Sequence, residues 1–148
     1  MPAQLNHTIV WCRDKTRSAE FLAAILGRPP PKPFFHFMVV GLDNSVSLDF
    51  MERAGEVAPQ HYAFLVGEDD FDAIFARIHA ANFPYWADPG RSQPNEINHH
   101  DGGRGVYFED PNGHLLEVIT QPYGSGPVLD PALDPRARRN PRGGQKAG

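Results

Sequence analysis

Cysteine and long apolar runs are scarce in this sequence of 148 residues. Its single cysteine, Cys12, cannot form an intrachain disulfide, which excludes a disulfide framework and a cysteine-based zinc site. No stretch approaches the run of about 18 apolar residues that a membrane-spanning helix needs, and the chain does not begin with a basic segment followed by an apolar one. These absences predict a cytoplasmic protein with no membrane partner, in which Cys12 is a buried side chain and not a nucleophile.

Positive charge is also scarce outside the C-terminal end. The net charge is −4, yet a group of Arg and Lys residues lies within residues 124–148, so the remainder is clearly acidic. An acidic body argues against nucleic-acid binding. Residues 124–148 are rich in Pro, Gly and Arg and have little to bury, so we predict a disordered basic tail. Residues 1–123 are long enough for one core, and we expect them to form a single domain.

An internal repeat organises that domain. Residues 6–27, "NHTIVWCRDKTRSAEFLAAILG", and residues 60–81, "QHYAFLVGEDDFDAIFARIHAA", share one plan: a polar residue, a histidine, an apolar strand, a polar turn and an amphipathic helix. This alignment places His7 on His61. Later in each copy "SLDFM" resembles "LLEVI", which places Asp49 on Glu117. The repeat predicts two modules, at about residues 5–52 and 59–121.

Each module predicts one strand, one helix and then further strands. The first helix should begin after Asp14 or Thr16 and end at Leu26, before Gly27, and the second should be capped by Asp69 or Asp70. The other predicted strands cover residues 35–40 and 46–51 in the first module, and 84–87, 105–109 and 114–120 in the second. Neither module is large enough for a core of its own, so we expect the two to bury a shared interior.

Histidines and carboxylates occupy matching places in the apolar strands. Residues two apart share one face of a strand, so His7, His61 and Glu117 each lie in an apolar row. An unpaired carboxylate in such a row costs several kcal/mol when buried. If a pseudo-twofold axis relates the modules, these three residues and Asp49 converge in the interior. A divalent cation would compensate the buried carboxylates and accept neutral imidazole nitrogen.

The number of ligands favours different metals. Two histidines and one carboxylate with open positions suit Fe(II) and oxygen chemistry. Two histidines and two carboxylates also suit Zn, Ni, Co or Mn acting as a Lewis acid. Both readings require a divalent metal ion.

The segment "GGRGVYFEDPNGHLLEVIT", residues 102–120, resembles the Gly-x-x-x-Tyr-Phe-x-Asp-Pro-x-Gly-x-x-x-Glu hairpin of the vicinal oxygen chelate superfamily. The resemblance implies an α+β fold in which two paired β-α-β-β-β modules form a half-open mixed β-barrel around a metal site. It implies metal ligation by His7, His61 and Glu117. Asp49 falls where glyoxalase-type members have a Glu ligand, and its shorter side chain leaves ligation, binding through water or mere orientation open.

The function implied by the resemblance is Fe(II)-dependent, extradiol-type ring cleavage of a small aromatic diol. A first alternative is a glyoxalase-type isomerase or lyase, or a thiol transferase of antibiotic resistance, with Asp49 as fourth ligand. A second is a non-catalytic ligand-binding protein like the bleomycin-resistance members. The family resemblance further implies a homodimer acting on a small molecule, with the site either within one chain or shared by exchanged modules.

A long polar loop, residues 87–104, precedes the hairpin and is typical of a lid or binding segment. His99 and His100 are candidates for the acid/base of catalysis, and Tyr107 and Arg104 for hydrogen-bond donors to an oxyanion. Trp11 and Phe37 are candidates for a wall that holds a planar substrate. The remaining histidines are expected in structural or surface roles: His36, His79 and His114.

Overall fold

The computed structural model describes residues 2–126 as an α+β fold of two modules with the same element order. The first module contains β1 (His7–Cys12), α1 (Lys15–Leu26), β2 (Lys32–Phe34), β3 (Phe37–Gly41) and β4 (Ser47–Glu52). The second contains β5 (His61–Leu65), α2 (Glu68–Ala80), β6 (Tyr85–Trp86), a 3₁₀ turn (His100–Gly102), β7 (Gly105–Glu109) and β8 (Leu115–Ile119). The predicted β-α-β-β-β order is confirmed in both modules.

Each module forms one mixed sheet of four strands. The strand orders are β1-β4-β3-β2 and β5-β8-β7-β6, with the first pair parallel and the others antiparallel. The two sheets do not close into a barrel, in agreement with the half-open architecture expected. The register repeats as well, since Ile9 lies opposite Asp49 and Ala63 lies opposite Glu117. The sequence alignment of the two copies is therefore confirmed by their strand pairing.

The helices begin and end close to the predicted residues. Asp14 caps α1 by accepting a hydrogen bond from the amide of Arg17 at 3.0 Å, and Gly27 ends it with a φ of 68°. Helix α2 starts earlier than predicted, because Gly67 occupies the cap position without a side-chain bond. Its acidic first turn, which contains the predicted caps Asp69 and Asp70, instead lies at the positive end of the helix dipole.

The strand predicted over residues 35–40 begins two residues later, at Phe37, and a separate short strand, β2, precedes it. Phe34 pairs with Phe37, so the two residues between them form a tight hairpin turn, and Phe35 adopts a φ of 49°. Such a turn normally contains Gly, Asn or Asp. Residues 34–37 are all aromatic or histidine and include none of these turn residues, so the sequence predicted a continuous strand there.

One hydrophobic core spans both modules and lies between the helices and one face of each sheet. From the strands it takes Val10, Phe50, Val106 and Phe108, among others, and from the helices it takes side chains such as Leu22, Phe71 and Ile78. The shared interior expected from module size is present. Cys12 is fully buried in it, and burial raises the pKa of the thiol to about 11, which leaves the side chain neutral and inert.

The turn between β7 and β8 joins the modules through buried polar groups. Nδ1 of His114 accepts a hydrogen bond from the Gln60 amide at 2.9 Å, and Nε2 therefore carries the proton that it donates to the Trp11 carbonyl at 2.7 Å. The side-chain amide of Asn112 also contacts the first module, because it donates a hydrogen bond to the Ser18 hydroxyl at 2.9 Å. The structural role expected of His114 is thus a cross-link between the two halves of the fold.

No helix within residues 2–126 is long and apolar enough to cross a membrane. The predicted tail lies outside the described residues from position 127 onward.

Candidate metal centre

The candidate ligands lie on the sheet faces opposite the core. Glu117 and Asp49 are buried, with 1% and 9% of their surface exposed, but His7 and His61 are both exposed. Beside them the apolar residues of the same rows are open to solvent in the single chain: Leu5, Ile9, Trp11 and Leu65. The sequence predicted that the rows carrying these residues point into the shared interior. They do not, because that interior is built from the other face of each sheet.

His61 and Glu117 form a close pair on neighbouring strands β5 and β8. Nε2 of His61 lies 3.2 Å from Oε1 of Glu117, and Nδ1 lies 2.9 Å from the Leu115 carbonyl. A carbonyl oxygen only accepts hydrogen bonds, so Nδ1 carries the ring proton. In the neutral ring Nε2 then presents a lone pair to a carboxylate oxygen. This contact is favourable only when a cation, either a second proton or a metal ion, lies between the two atoms.

The separation of the two atoms fits a metal ion. Ligand atoms about 2.0–2.2 Å from one divalent metal, at octahedral or tetrahedral angles, lie roughly 2.8–3.6 Å apart. The 3.2 Å between His61 and Glu117 is within that window. A histidine whose second nitrogen bonds a backbone carbonyl is also the usual form of a metal-binding imidazole, since the carbonyl selects the tautomer and the ring orientation. The pair is therefore chemically suited to a divalent metal.

Two tyrosines hold the other side of Glu117. The hydroxyl of Tyr123 donates a short hydrogen bond to Oε2, and the hydroxyl of Tyr107 lies 2.9 Å from that of Tyr123. Tyr107 is buried and stacks on His61 with ring centroids 6.0 Å apart. Burial, followed by the contacts with Tyr123 and Glu117, raises the pKa of Tyr107. Tyr107 consequently stays protonated and acts as a hydrogen-bond donor.

The corresponding pair in the first module is not assembled in the same way. Nδ1 of His7 contacts the Asn6 side-chain oxygen at 2.7 Å, and Asp49 accepts a hydrogen bond from the Ser47 hydroxyl at 2.8 Å. Among residues 2–126, no three His, Cys, Asp or Glu side chains lie close enough together to hold a metal. One chain thus brings together His61 and Glu117, but it does not bring His7 or Asp49 to them.

Comparison with known proteins agrees with this strand arrangement. A model of the Glyoxalase/Bleomycin resistance protein/Dioxygenase superfamily matches residues 4–118. The chain belongs to this superfamily. Among solved structures, oxidase ChaP-H2 is 59% identical with a TM-score of 0.84, and the match covers 86% of this chain and 100% of that one. Oxidase ChaP-H1 is 60% identical with a TM-score of 0.82, covering 83% and 99%.

A sequence relative carries a different activity in its name. Glutathione transferase FosA from Serratia marcescens is 30% identical over 125 residues, which cover 80% of this chain and 81% of the relative. Superfamily proteins act on small molecules and use divalent metals. The named relatives are thus enzymes of two classes, an oxidase and a transferase.

Within the superfamily fold, Arg104 does not join the site. Its guanidinium bonds Glu68 and Asp72 of α2 at 2.7 Å each and lies 4.5 Å over the ring of Phe71. Hydrogen bonds to Asp72 and Glu68 raise the pKa of Arg104. The predicted oxyanion donor is therefore engaged on the helix side of the second sheet, because it precedes β7 and turns away from the face that carries Tyr107.

The other predicted site residues lie in two places, near the 3₁₀ turn and on the first sheet. His100 is half-buried, with its ring 6.3 Å from that of Tyr123, whereas His99 is exposed beside the 3₁₀ turn. Trp11 shares the open face of the first sheet with His7 and Asp49, and the pairing of Val39 with Asp49 places Phe37 on that face too. Trp11 and Phe37 therefore share a sheet face with His7, but Trp11 lies opposite Met51 and His7 lies opposite Ser47, at the other end of β4. Both lie on a different sheet from the His61–Glu117 pair.

Sequence reasoning missed Tyr123 and Asp101. Tyr123 follows β8 at a point where the chain has left the strand, so alternation along the strand says nothing about its direction. Asp101 accepts hydrogen bonds from the amides of Gly124 and Gly126, at 3.2 and 3.3 Å. The one available signal was the "YGSG" composition directly after the strand, which is typical of a tight backbone approach.

Proposed function

We propose that the chain is a metal-dependent oxidoreductase that uses dioxygen, with extradiol-type dioxygenase chemistry on a small aromatic diol. The observation that carries the metal centre is the close pair of His61 and Glu117, in which Nδ1 of His61 bonds the Leu115 carbonyl and Nε2 faces the buried carboxylate at 3.2 Å. Oxidative chemistry is supported over thiol transfer by the 59% identity with an oxidase, against 30% with the glutathione transferase.

The complete site in this proposal is shared by two copies of the chain in a homodimer. His61 and Glu117 come from one copy and His7 from the other, which makes the two-histidine, one-carboxylate set that suits Fe(II). The exposed apolar row around His7, which includes Ile9 and Trp11, supports this pairing, because a second copy would cover it. Asp49 accepts a hydrogen bond from Ser47 on its own strand, and the two-histidine, one-carboxylate set is complete without it, so we propose no ligand role for it.

Each protein group has a defined task in the proposed reaction. An iron ion held by these residues would supply Lewis-acid and one-electron chemistry, and the electrons that reduce dioxygen would come from the diol itself, whose ring is cleaved. Tyr107, which stays protonated, maintains the orientation of Glu117 through Tyr123. His100 is the proposed base for the diol proton, because it is half-buried beside Tyr123 while His99 is exposed.

Oxygen consumption tests the reaction class. Metal-free protein loaded with Fe(II) should consume one molecule of dioxygen for each molecule of a small catechol cleaved. The same protein loaded with Zn(II) should show no uptake, because Zn(II) has no redox chemistry. An oxygen electrode with a panel of catechols, combined with product absorbance, measures both. The proposal fails if Fe(II) protein is inactive on the panel while Mn(II), Ni(II) or Zn(II) protein adds glutathione to an epoxide.

That second outcome would establish the alternative function, thiol transfer. It is favoured by the FosA match, which extends over 125 residues. The glyoxalase-type lyase and the non-catalytic ligand-binding protein remain alternatives of the same fold. Glyoxalase chemistry would give isomerisation of a thiohemiacetal without oxygen uptake, and a pure binding protein would bind ligand without turnover.

A further inference from the structure

Tyr123 lies beyond the segment that the superfamily model matches, which ends at residue 118, yet its hydroxyl contacts the carboxylate of Glu117. The two oxygens of that carboxylate have different partners. Oε1 faces Nε2 of His61, and Oε2 accepts the hydrogen bond from Tyr123. The C-terminal segment therefore determines which oxygen is directed toward the histidine.

The hydrogen bonds at this carboxylate run in one direction. Tyr123 gives its single proton to Oε2, so it can only accept from its other neighbour. The hydroxyl of Tyr107, 2.9 Å away, must then be the donor of that bond. The order Tyr107 to Tyr123 to Glu117 satisfies every hydroxyl and fixes both rings. A relay of this kind restrains the carboxylate more strongly than one isolated hydrogen bond.

The backbone around Tyr123 is held by a second anchor, in the 3₁₀ turn. Asp101 is buried, adopts a φ of 56°, and accepts from the amides of Gly124 and Gly126. A Cβ at Gly126 would lie 2.3 Å from the Asp101 backbone, so only glycine permits the approach. The ring of His100 packs against Tyr123 from the same turn. Contacts between the long loop and the C-terminal segment thus fix the position of Tyr123.

We propose that Tyr123 is a positioning residue of the metal centre, which holds Glu117 with Oε1 toward His61, and that Asp101 in turn positions Tyr123. This inference rests on the proposed metal-dependent function. Without the Tyr123 hydroxyl the carboxylate loses the donor to Oε2 and keeps only its contact with Tyr107, so it can turn and offer a cation Oε2, or both oxygens. The residue acts through Glu117 and does not itself bind the metal.

The test compares Tyr123→Phe, which removes one oxygen atom, with the matched variant Tyr85→Phe on β6. Zn(II) affinity is measured by chelator competition, and the visible absorption of Co(II)-loaded protein reports ligand geometry. Loss of an outer hydrogen-bond partner typically lowers metal affinity about 10–100-fold. We expect a loss in that range and a changed Co(II) spectrum for Tyr123→Phe, with neither change for Tyr85→Phe.

A second variant tests the anchor without touching Tyr123. Asp101→Asn keeps the size of the side chain but weakens acceptance from Gly124 and Gly126, and we expect the same Co(II) spectral change with a smaller loss of affinity. If wild-type and Tyr123→Phe proteins bind Zn(II) equally and share one Co(II) spectrum, the positioning role is refuted while the metal site stands. If the wild type binds neither metal, the proposed function and this inference both fail.

Discussion

Replacing Glu117 by glutamine should lower divalent-metal affinity by more than about 100-fold, beyond the range typical of outer hydrogen-bond partners. Glutamine keeps the shape of the side chain but removes the negative charge that faces Nε2 of His61 at 3.2 Å. The amide oxygen can still accept from the Tyr123 hydroxyl, so the hydrogen-bond relay survives. Chelator competition with Zn(II) measures the affinity, and oxygen uptake by the Fe(II)-loaded protein should fall in parallel.

The fold of this variant should be intact. Removing a buried charge relieves the desolvation that the metal-free protein bears, so the free energy of unfolding without metal should be unchanged or higher. Glu109→Gln is the matched control, because Glu109 lies on β7 of the same hairpin, is exposed and pairs with Arg91. Metal affinity of Glu117→Gln within a few-fold of the Glu109→Gln value would show that the carboxylate is no ligand.

Replacing the fully buried His114 by alanine should destabilise the protein by about 3 kcal/mol, because it leaves two partly buried backbone groups unpaired at about 1–3 kcal/mol each. The amide of Gln60 loses its acceptor, the carbonyl of Trp11 loses its donor, and a cavity remains beside the ring of Tyr62. Urea denaturation of the metal-free protein measures the loss. Since His114 joins the two modules, the change should affect the whole domain in one transition.

His79→Ala is the control for that experiment. His79 is an exposed residue near the end of α2, where truncation should change stability by less than about 0.5 kcal/mol. Equal free energies of unfolding for the two variants would contradict the cross-linking role of His114.

The element order and the pairing of the modules could be predicted because they depend on local signals. The short apolar runs that follow the histidines of "HTIVWC" and "HYAFL" indicate strands, and Asp14 and Gly27 mark the ends of the first helix. A repeat compares two copies with each other, so it also predicted that Asp49 and Glu117 hold equivalent places. The register of β1 with β4 and of β5 with β8 has this equivalence.

The composition of the site could be predicted only in part, because it depends on contacts that local patterns do not encode. Arg104 follows the polar loop in sequence, but Glu68 and Asp72, one helical turn apart on α2, attract it to the other side of the sheet. Tyr123 reaches Glu117 because of the backbone anchor at Asp101. Strand alternation placed His7 in the row of Ile9 and Trp11, but it does not state what covers that row.

The most direct test of the metal centre is anomalous diffraction from a crystal grown with Zn(II), recorded on both sides of the zinc absorption edge. We expect one strong peak for each chain, about 2.0–2.2 Å from Nε2 of His61 and Oε1 of Glu117, with His7 of a second copy as a further ligand. A fully occupied peak away from this pair, or no peak beside it at saturating Zn(II), would contradict the assignment of these residues as the metal site.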